Sequence, residues 1–330
     1  MLSFFLPKNK IRNVISYHIY KEEQKEEEFY MECNITKLQT GQEEQVLLMV
    51  QEVEKGTASN GTVYEKLKVR DTQGNEAVLY NWNEPFTVPL PAVIIAQVQA
   101  KSLKDSNNYR MLAYQLDNTV SKMHFFPKAA IDVKDYWKEL NEYAKKLPEN
   151  MHKLVGMILM ENQKKFVSLP LTTSRSFARR CGILEATVKL TKMVSETASI
   201  LGLDWSLAVT SAILYYIGYT DCVSDAFIAT PDEILIGAGV SAYTKVLQQE
   251  EKIKQEMEGD ALQEFNKDIS CVKHILLSRY KGISTALPEA MLLRHLDAIL
   301  TDVDLAVTGT SFTEPGKTTS VAGLGRLYRK

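Results

Sequence analysis

From about Glu44 to Leu116, apolar and polar residues alternate over short runs. The runs VLLMVQEVE, VYEKLKVRD, EAVLYNW, AVIIAQVQA and YRMLAYQL show the period-two pattern of half-buried strands. The breaks at Ala58-Ser59-Asn60-Gly61 and Thr72-Gln73-Gly74-Asn75 put Asn-Gly and Gly-Asn pairs where hairpins need residues that tolerate positive φ. Five such strands in about 75 residues predict a small β-barrel of OB type. After Pro127 the period changes. IDVKDYWKELNEYAKKL repeats apolar positions at three- and four-residue spacing, with Asp132 placed to cap a helix and Pro148 to end it. The same period runs through MHKLVGMILM, residues 183–202, WSLAVTSAILYYIG, residues 232–257, and the stretches 270–279 and 288–300.

These patterns divide the chain into an N-terminal extension (1–35), a barrel domain (36–118), a linker helix (119–150), a helical domain (151–307) and a basic tail rich in Gly, Thr and Ser (308–330). The expected fold is α+β and multidomain: a five-stranded barrel followed by an all-α domain. A length of 330 residues, 45% of them hydrophobic and 24% charged, suits two globular domains. No run approaches the ~20 apolar residues of a membrane helix, and the apolar part of MLSFFLPKNK is too short for a signal peptide. A cytoplasmic location with no membrane partner is the expectation.

Cys33, Cys181, Cys222 and Cys271 lie far apart without a CxxC pair, which predicts buried thiols and suggests neither a disulfide framework nor a thiolate zinc site. The formal net charge of −2 is unevenly spread: residues 21–28 read KEEQKEEE, whereas residues 151–200 hold eight Lys and Arg against three Glu. The acidic run reads as a partner arm or a solvated segment.

In the second strand Val63, Leu67 and Val69 share one face, with Tyr64, Lys66, Lys68 and Arg70 on the other; Val78, Tyr80 and Trp82 share a face in the third. A basic and aromatic strand face can stack bases and pair phosphates. The candidate contacts for a single strand of RNA or DNA are Tyr64, Lys66, Lys68, Arg70, Tyr80, Trp82, Tyr109 and Arg110. The alternative is an ordinary solvated barrel rim.

The helical half contains FVSLP, SRSF, GILEAT, ILYYIGYTD, LIGAGVS, HILLSRYKG and PEAMLLRHLDAILTDVDL in that order, after VEKGTASNGTVYEKLKVRDTQGNEAVLYNW in the barrel and before FTE and RLY at the end. Over residues 36–330 this resembles the YhaM-type 3′-5′ exoribonucleases, in which an OB domain precedes an HD-superfamily phosphohydrolase domain. The resemblance implies a metal site of His and Asp on separate helices, since those ligands suit Mn or Mg and the metal activates water.

At the implied ligand positions this chain departs. Ser174-Arg175-Ser176-Phe177 stands where the family writes HHAF, and Ala186 replaces the histidine of GLLEHT. The His-Asp pair becomes Tyr215-Tyr216, and the lysine after the glycine becomes Tyr219. Ala238 replaces the histidine of a Gly-His step, Arg279-Tyr280 replaces a His-His, and only Asp297 persists. One carboxylate cannot hold a catalytic metal against water. Relocated ligands would have to come from His274, His295, Asp221 or Asp225, and Glu185 with Asp297 could form a carboxylate pair. No GxSxG elbow or GxxxxGK[ST] phosphate loop is present, and Gly237-Ala238-Gly239 is only a GxG.

The replacements Arg175, Tyr215, Tyr216, Tyr219, Arg279 and Tyr280, with Arg179, Arg180, Lys189, Lys192 and Lys281 nearby, leave a pocket that could attract phosphate or be filled as aromatic core. The expectation is a non-catalytic, single-strand-binding relative of these nucleases, a pseudoenzyme without cofactor. The alternatives are an active exonuclease with Mn or Mg on unconventional ligands, or a protein-interaction subunit or homo-oligomer within a nucleic-acid-processing assembly.

Overall fold

The computed structural model of the protein describes residues 34–103, 106–280 and 282–330. The acidic run 21–28, most of the 1–35 extension, Cys33 and Lys281 lie outside the described residues. The chain forms two compact units that divide between Val120 and Ser121.

The first unit is a closed five-stranded barrel of β1 (Glu43–Thr57), β2 (Val63–Asp71), β3 (Glu76–Asn81), β4 (Ala92–Leu103) and β5 (Ser106–Leu116), in the order β1-β2-β3-β5-β4. Strand β1 pairs with both β2 and β4, and a register shift between Val50 and Glu52 bends it between them. A short parallel pairing of β3 with β5 closes the barrel. Alternate residues Val46, Leu48, Val50, Leu67, Val69, Leu79, Ile94, Ala96, Val98 and Met111 fill the interior. Both expected hairpin turns form. Gly61 and Gly74 adopt positive φ, and the carboxylate of buried Asp71 accepts the backbone N–H groups of Gln73 and Asn75 at 2.9 Å and of Ile35 at 3.0 Å. Val63 departs from expectation: at the strand's first position, paired only with Thr57, it is exposed, and the inward place next to it goes to Glu65, whose carboxylate accepts from Phe86 N–H at 2.8 Å.

The second unit holds α1 (Val133–Ala144), α2 (Glu149–Ser168), α3 (Gly182–Leu201), α4 (Trp205–Leu214), α5 (Tyr219–Cys222), α6 (Pro231–Leu235), α7 (Ala238–Lys254), α8 (Gly259–Leu277) and α9 (Pro288–Thr310). Asp132 caps α1 as expected, accepting from Lys134 and Asp135 N–H. The helix is no linker, however: Leu140 and Ala144 are buried in the same core as Leu154, Ile158, Leu190 and Ile213. The 232–257 run is two helices because Gly237, at φ 82°, turns the chain between α6 and α7.

The basic tail 308–330 carries regular structure. Helix α9 continues to Thr310, and β6 (Thr318–Val321) pairs with β7 (Gly325–Tyr328) in a hairpin. Buried Val321 seats that hairpin on Gly309, where an added Cβ would approach it to 2.7 Å. Cys181 and Cys222 are buried while Cys271 is partly exposed, and burial followed by Glu233 pushes the Cys222 thiol up to about 12. Among the described residues no helix is long and apolar enough to cross a membrane.

Candidate functional site

The period-two geometry of β2 and β3 sends Tyr64, Lys66, Lys68 and Arg70, with Val78 and Tyr80, to the outer face of the barrel. The pairing sets them in rows: Lys66 lies opposite Tyr80, and Tyr80 lies beside Arg110 of β5. One row further, the Tyr64 ring stacks on Trp82 at 4.7 Å between centroids and 28° between planes, and it tilts against Tyr80 at 5.8 Å. Gly56, opposite Tyr64 on β1, makes room for this. A Cβ there would stand 2.5 Å from the ring.

Trp82 is 37% exposed. Tyr109 does not belong to this face. It is paired with inward-facing Leu79 and Ala100 and is buried in the barrel core, because neighbouring residues of a strand point to opposite sides and Arg110 takes the outer one. Acids stand among the cations of the face: Glu54 is opposite Lys66 and Glu52 opposite Lys68 in the strand register, and Glu76 forms an ion pair with Arg70. A shallow groove of about 230 Å³ runs along Glu52, Glu54, Lys66, Lys68, Glu76, Ala77 and Val78.

In the helical unit, LYYIGYTD closes α4, turns, and begins α5. The turn is forced tightly against α7: a Cβ on Gly218 would lie 1.9 Å from the carbonyl oxygen of Ala238. This sends the three tyrosines inward around Arg279, which follows α8. The guanidinium lies over the rings of Tyr215 at 4.5 Å, Tyr219 at 5.3 Å and Tyr216 at 5.9 Å, a cation–π cage. It donates to the backbone carbonyl of Tyr215 at 2.9 Å and to the Tyr219 hydroxyl at 3.4 Å. The Tyr216 hydroxyl donates to Asp297 of α9.

Arg279, Tyr216, Tyr219 and Asp297 line a cavity of about 220 Å³ together with Arg175, Leu171, Thr172, Ser176, Thr301, Asp302 and Leu305. Burial pushes the Asp297 carboxyl above its ordinary range although Arg279 and the hydroxyls of Tyr216 and Tyr215 oppose this. Burial, with Asp297 adding to it, raises the phenols of Tyr215 and Tyr216, and burial raises that of Tyr219 as well. Burial works against the charge of Arg279, but the tyrosines and Asp297 around it prevail and hold the proton on. The cavity therefore presents neutral phenols and a permanent internal cation.

Of the nine positions that the family resemblance brings together, Arg175, Tyr216, Tyr219, Arg279 and Asp297 line this cavity, and Tyr215 packs on its cation. The other three lie elsewhere. Ala186 is core, Ala238 packs with Cys222 and Val223, and the Tyr280 hydroxyl accepts from Gly239 and Val240 N–H at the start of α7.

Glu185 does not pair with Asp297. It is held by Arg179 at 2.8 Å and Lys189 at 2.6 Å, and Arg179 also grips Asp304 at 2.6 Å. Asp221 is bound by Lys245 at 2.7 Å and Ser241 at 2.6 Å, which draw its carboxyl below the ordinary range despite burial, and Asp225 is exposed. His274 accepts from Ala286 N–H at 3.1 Å, and His295 is exposed. Among the described residues no three His, Cys, Asp or Glu side chains are grouped so that they could hold a metal ion.

Sequence reasoning missed Thr301 and Leu305, which follow Asp297 at i+4 and i+8 on one helical face, a spacing that was available to find them. It also missed Thr172, whose hydroxyl accepts from Arg175 N–H at 3.0 Å and donates to Ser176 O at 2.8 Å. No protein-family model matches the chain, and no solved structure matches it.

Proposed function

We propose that the protein binds single-stranded RNA or DNA on the outer face of its barrel without cleaving it, and that its helical unit is a degenerate relative of the HD domain of YhaM-type exoribonucleases. The observation that carries this reading is the outward cluster of Tyr64, Tyr80 and Trp82 flanked by Lys66 and Arg110. Trp82, the most exposed of the rings, offers a face to a base, and the cations sit one residue pair away, where phosphates of a stacked strand would pass. The non-catalytic half is supported by the cavity chemistry, in which a guanidinium among neutral phenols replaces the ligand set a water-activating metal requires.

Fluorescence anisotropy of labelled oligonucleotides tests the first half. Trp82→Ala should weaken binding about tenfold or more, given about 1–3 kcal/mol for each stacked base, and affinity should fall steeply with salt. Unchanged affinity in Trp82→Ala would remove the barrel face from the reading. Incubation of labelled RNA with the protein and Mn²⁺ tests the second half. Intact RNA is expected, and degradation that Asp297→Ala abolishes would overturn it.

A second reading, a protein-interaction module, draws support from the acids Glu52, Glu54 and Glu76 beside the cations of the face. It predicts oligonucleotide binding no stronger than that of an unrelated acidic protein.

A further inference from the structure

Arg279 is a cation inside a protein with no carboxylate oxygen within 4.0 Å of its nitrogens among the described residues. Several other part-buried cations of the unit are matched to acids: Arg179 to Glu185 and Asp304, Lys245 to Asp221, Lys273 to Glu250. An interior charge without a close counter-ion is unfavourable unless something supplies one. Aromatic faces supply part, but two N–H groups of a five-donor fork account for the hydrogen bonds to Tyr215 and Tyr219. The remainder belongs to a side chain that lines the cavity.

At the same cavity Arg175 makes no ion pair among the described residues. Its Nη2 lies against the turn of the β6–β7 hairpin, 3.0 Å from where a Cβ on Gly323 would stand. Exposed Arg175 and caged Arg279 both line this one cavity. The Tyr219 hydroxyl accepts from Arg279 and keeps its own proton to donate, and Ser176 adds a hydroxyl to the lining.

We propose that this cavity is a binding site for a small phosphate-type oxyanion, inorganic phosphate or a small phosphomonoester, held between Arg175 and Arg279 with Tyr219 and Ser176 as neutral donors. Planar forks suit phosphate oxygens in pairs. Size favours a small ligand, since about 220 Å³ lies below the roughly 300–1,000 Å³ of pockets that hold drug-sized molecules. The two acids of the lining refine the choice. Asp297 is engaged by Tyr216, and burial disfavours its charge. Asp302, exposed and also part of the lining, repels further negative charge. The site therefore takes one phosphate group and rejects a polyanionic strand, so it is separate from strand binding on the barrel.

Thermal unfolding of the full chain in inorganic phosphate and, in a separate arm, glycerol 3-phosphate, each against chloride at matched ionic strength, tests this. A saturable rise in Tm is expected. A rise in the inorganic arm alone assigns the free ion, and a rise at lower concentration with the ester assigns an esterified ligand. Because Arg279→Ala perturbs the tyrosine cage and binding together, Arg175→Gln carries the test: it should need about tenfold more phosphate for the same rise. No phosphate-specific rise, or the same titration in Arg175→Gln, would overturn the proposal. Trp82→Ala should leave the phosphate titration unchanged, so a failure on the barrel face is distinguishable from a failure here.

Discussion

The barrel face and the helical cavity are both made of tyrosines and basic side chains, yet they are opposite in electrostatic construction. On the barrel, rings face outward and each neighbouring lysine stands across a strand pair from a glutamate. In the cavity, rings face inward and the central cation has aromatic faces in place of close acids. The same residue types make a displayed platform in one unit and a caged charge in the other. What separates them is the position of the counter-charges, which composition does not encode.

The sharpest way to break this comparison is one substitution made in both regions. In Gly218→Ala the new Cβ would meet the backbone of α7, 1.9 Å from Ala238 O and 2.7 Å from Ala242 N, and neither can yield without moving a helix. A loss of about 3 kcal/mol or more is expected in urea unfolding, at the upper end of overpacking effects. In Gly56→Ala the obstacle is the Tyr64 ring at 2.5 Å, which can swing away. There the loss should be about 1 kcal/mol or less, while oligonucleotide binding falls as the stack on Trp82 is lost. Equal destabilisation by the two changes would mean that the cavity is no more rigidly built than the face.

Titration sharpens the same contrast from inside the cavity. The phenols of Tyr215, Tyr216 and Tyr219 are raised above 10.0, so the stability they contribute is complete below that pH and is lost as pH rises past it, when the unfolded chain releases protons the folded cage retains. Tyr216→Phe should flatten the alkaline fall in Tm. Asp297 follows the same sign at the acid end. Its folded carboxyl is raised above 3.8, so its contribution is complete below 3.8 and is lost as pH rises through the higher folded value. Relative to the parent, Asp297→Asn should gain stability as pH rises from 4 to 7. A parent and variant that track each other across that range would place Asp297 in solvent.

Much of the barrel was legible because its information is local. The run VYEKLKVRD is the strand β2 residue for residue, and the Asn-Gly turn forms where it was expected. Tyr109 was misassigned although the same period-two rule that placed Tyr80 outward already turned Arg110 out and Tyr109 in. The apolar stripe of α1, with Leu140 and Ala144, was visible as amphipathic, but what it packs on is a long-range fact. In the cavity the residue set could be gathered from the order of motifs. The placement of Arg279 under three rings could not, since it depends on how α4, α8 and α9 pack. The hairpin after α9 was masked by Gly and Thr content that reads equally as a tail, and Val321 on Gly309 decides it only in three dimensions.

The smallest effect concerns the acids of the barrel face. If Glu52 and Glu54 restrain Lys68 and Lys66, then Glu52→Gln with Glu54→Gln frees two cations for phosphates without touching a ring. Cross-strand opposite-charge pairs are worth about 0.2–1 kcal/mol each, so oligonucleotide affinity should rise by roughly twofold and at most about thirtyfold in total. The salt dependence should steepen, because each lysine recruited to a phosphate releases a further counter-ion. Both changes should be absent from the phosphate titration of the cavity, which shares none of these residues. An unchanged salt slope would show that the lysines stay clear of the strand. The rings would then act without them, and the glutamates would belong to a surface shaped for a partner that carries positive charge.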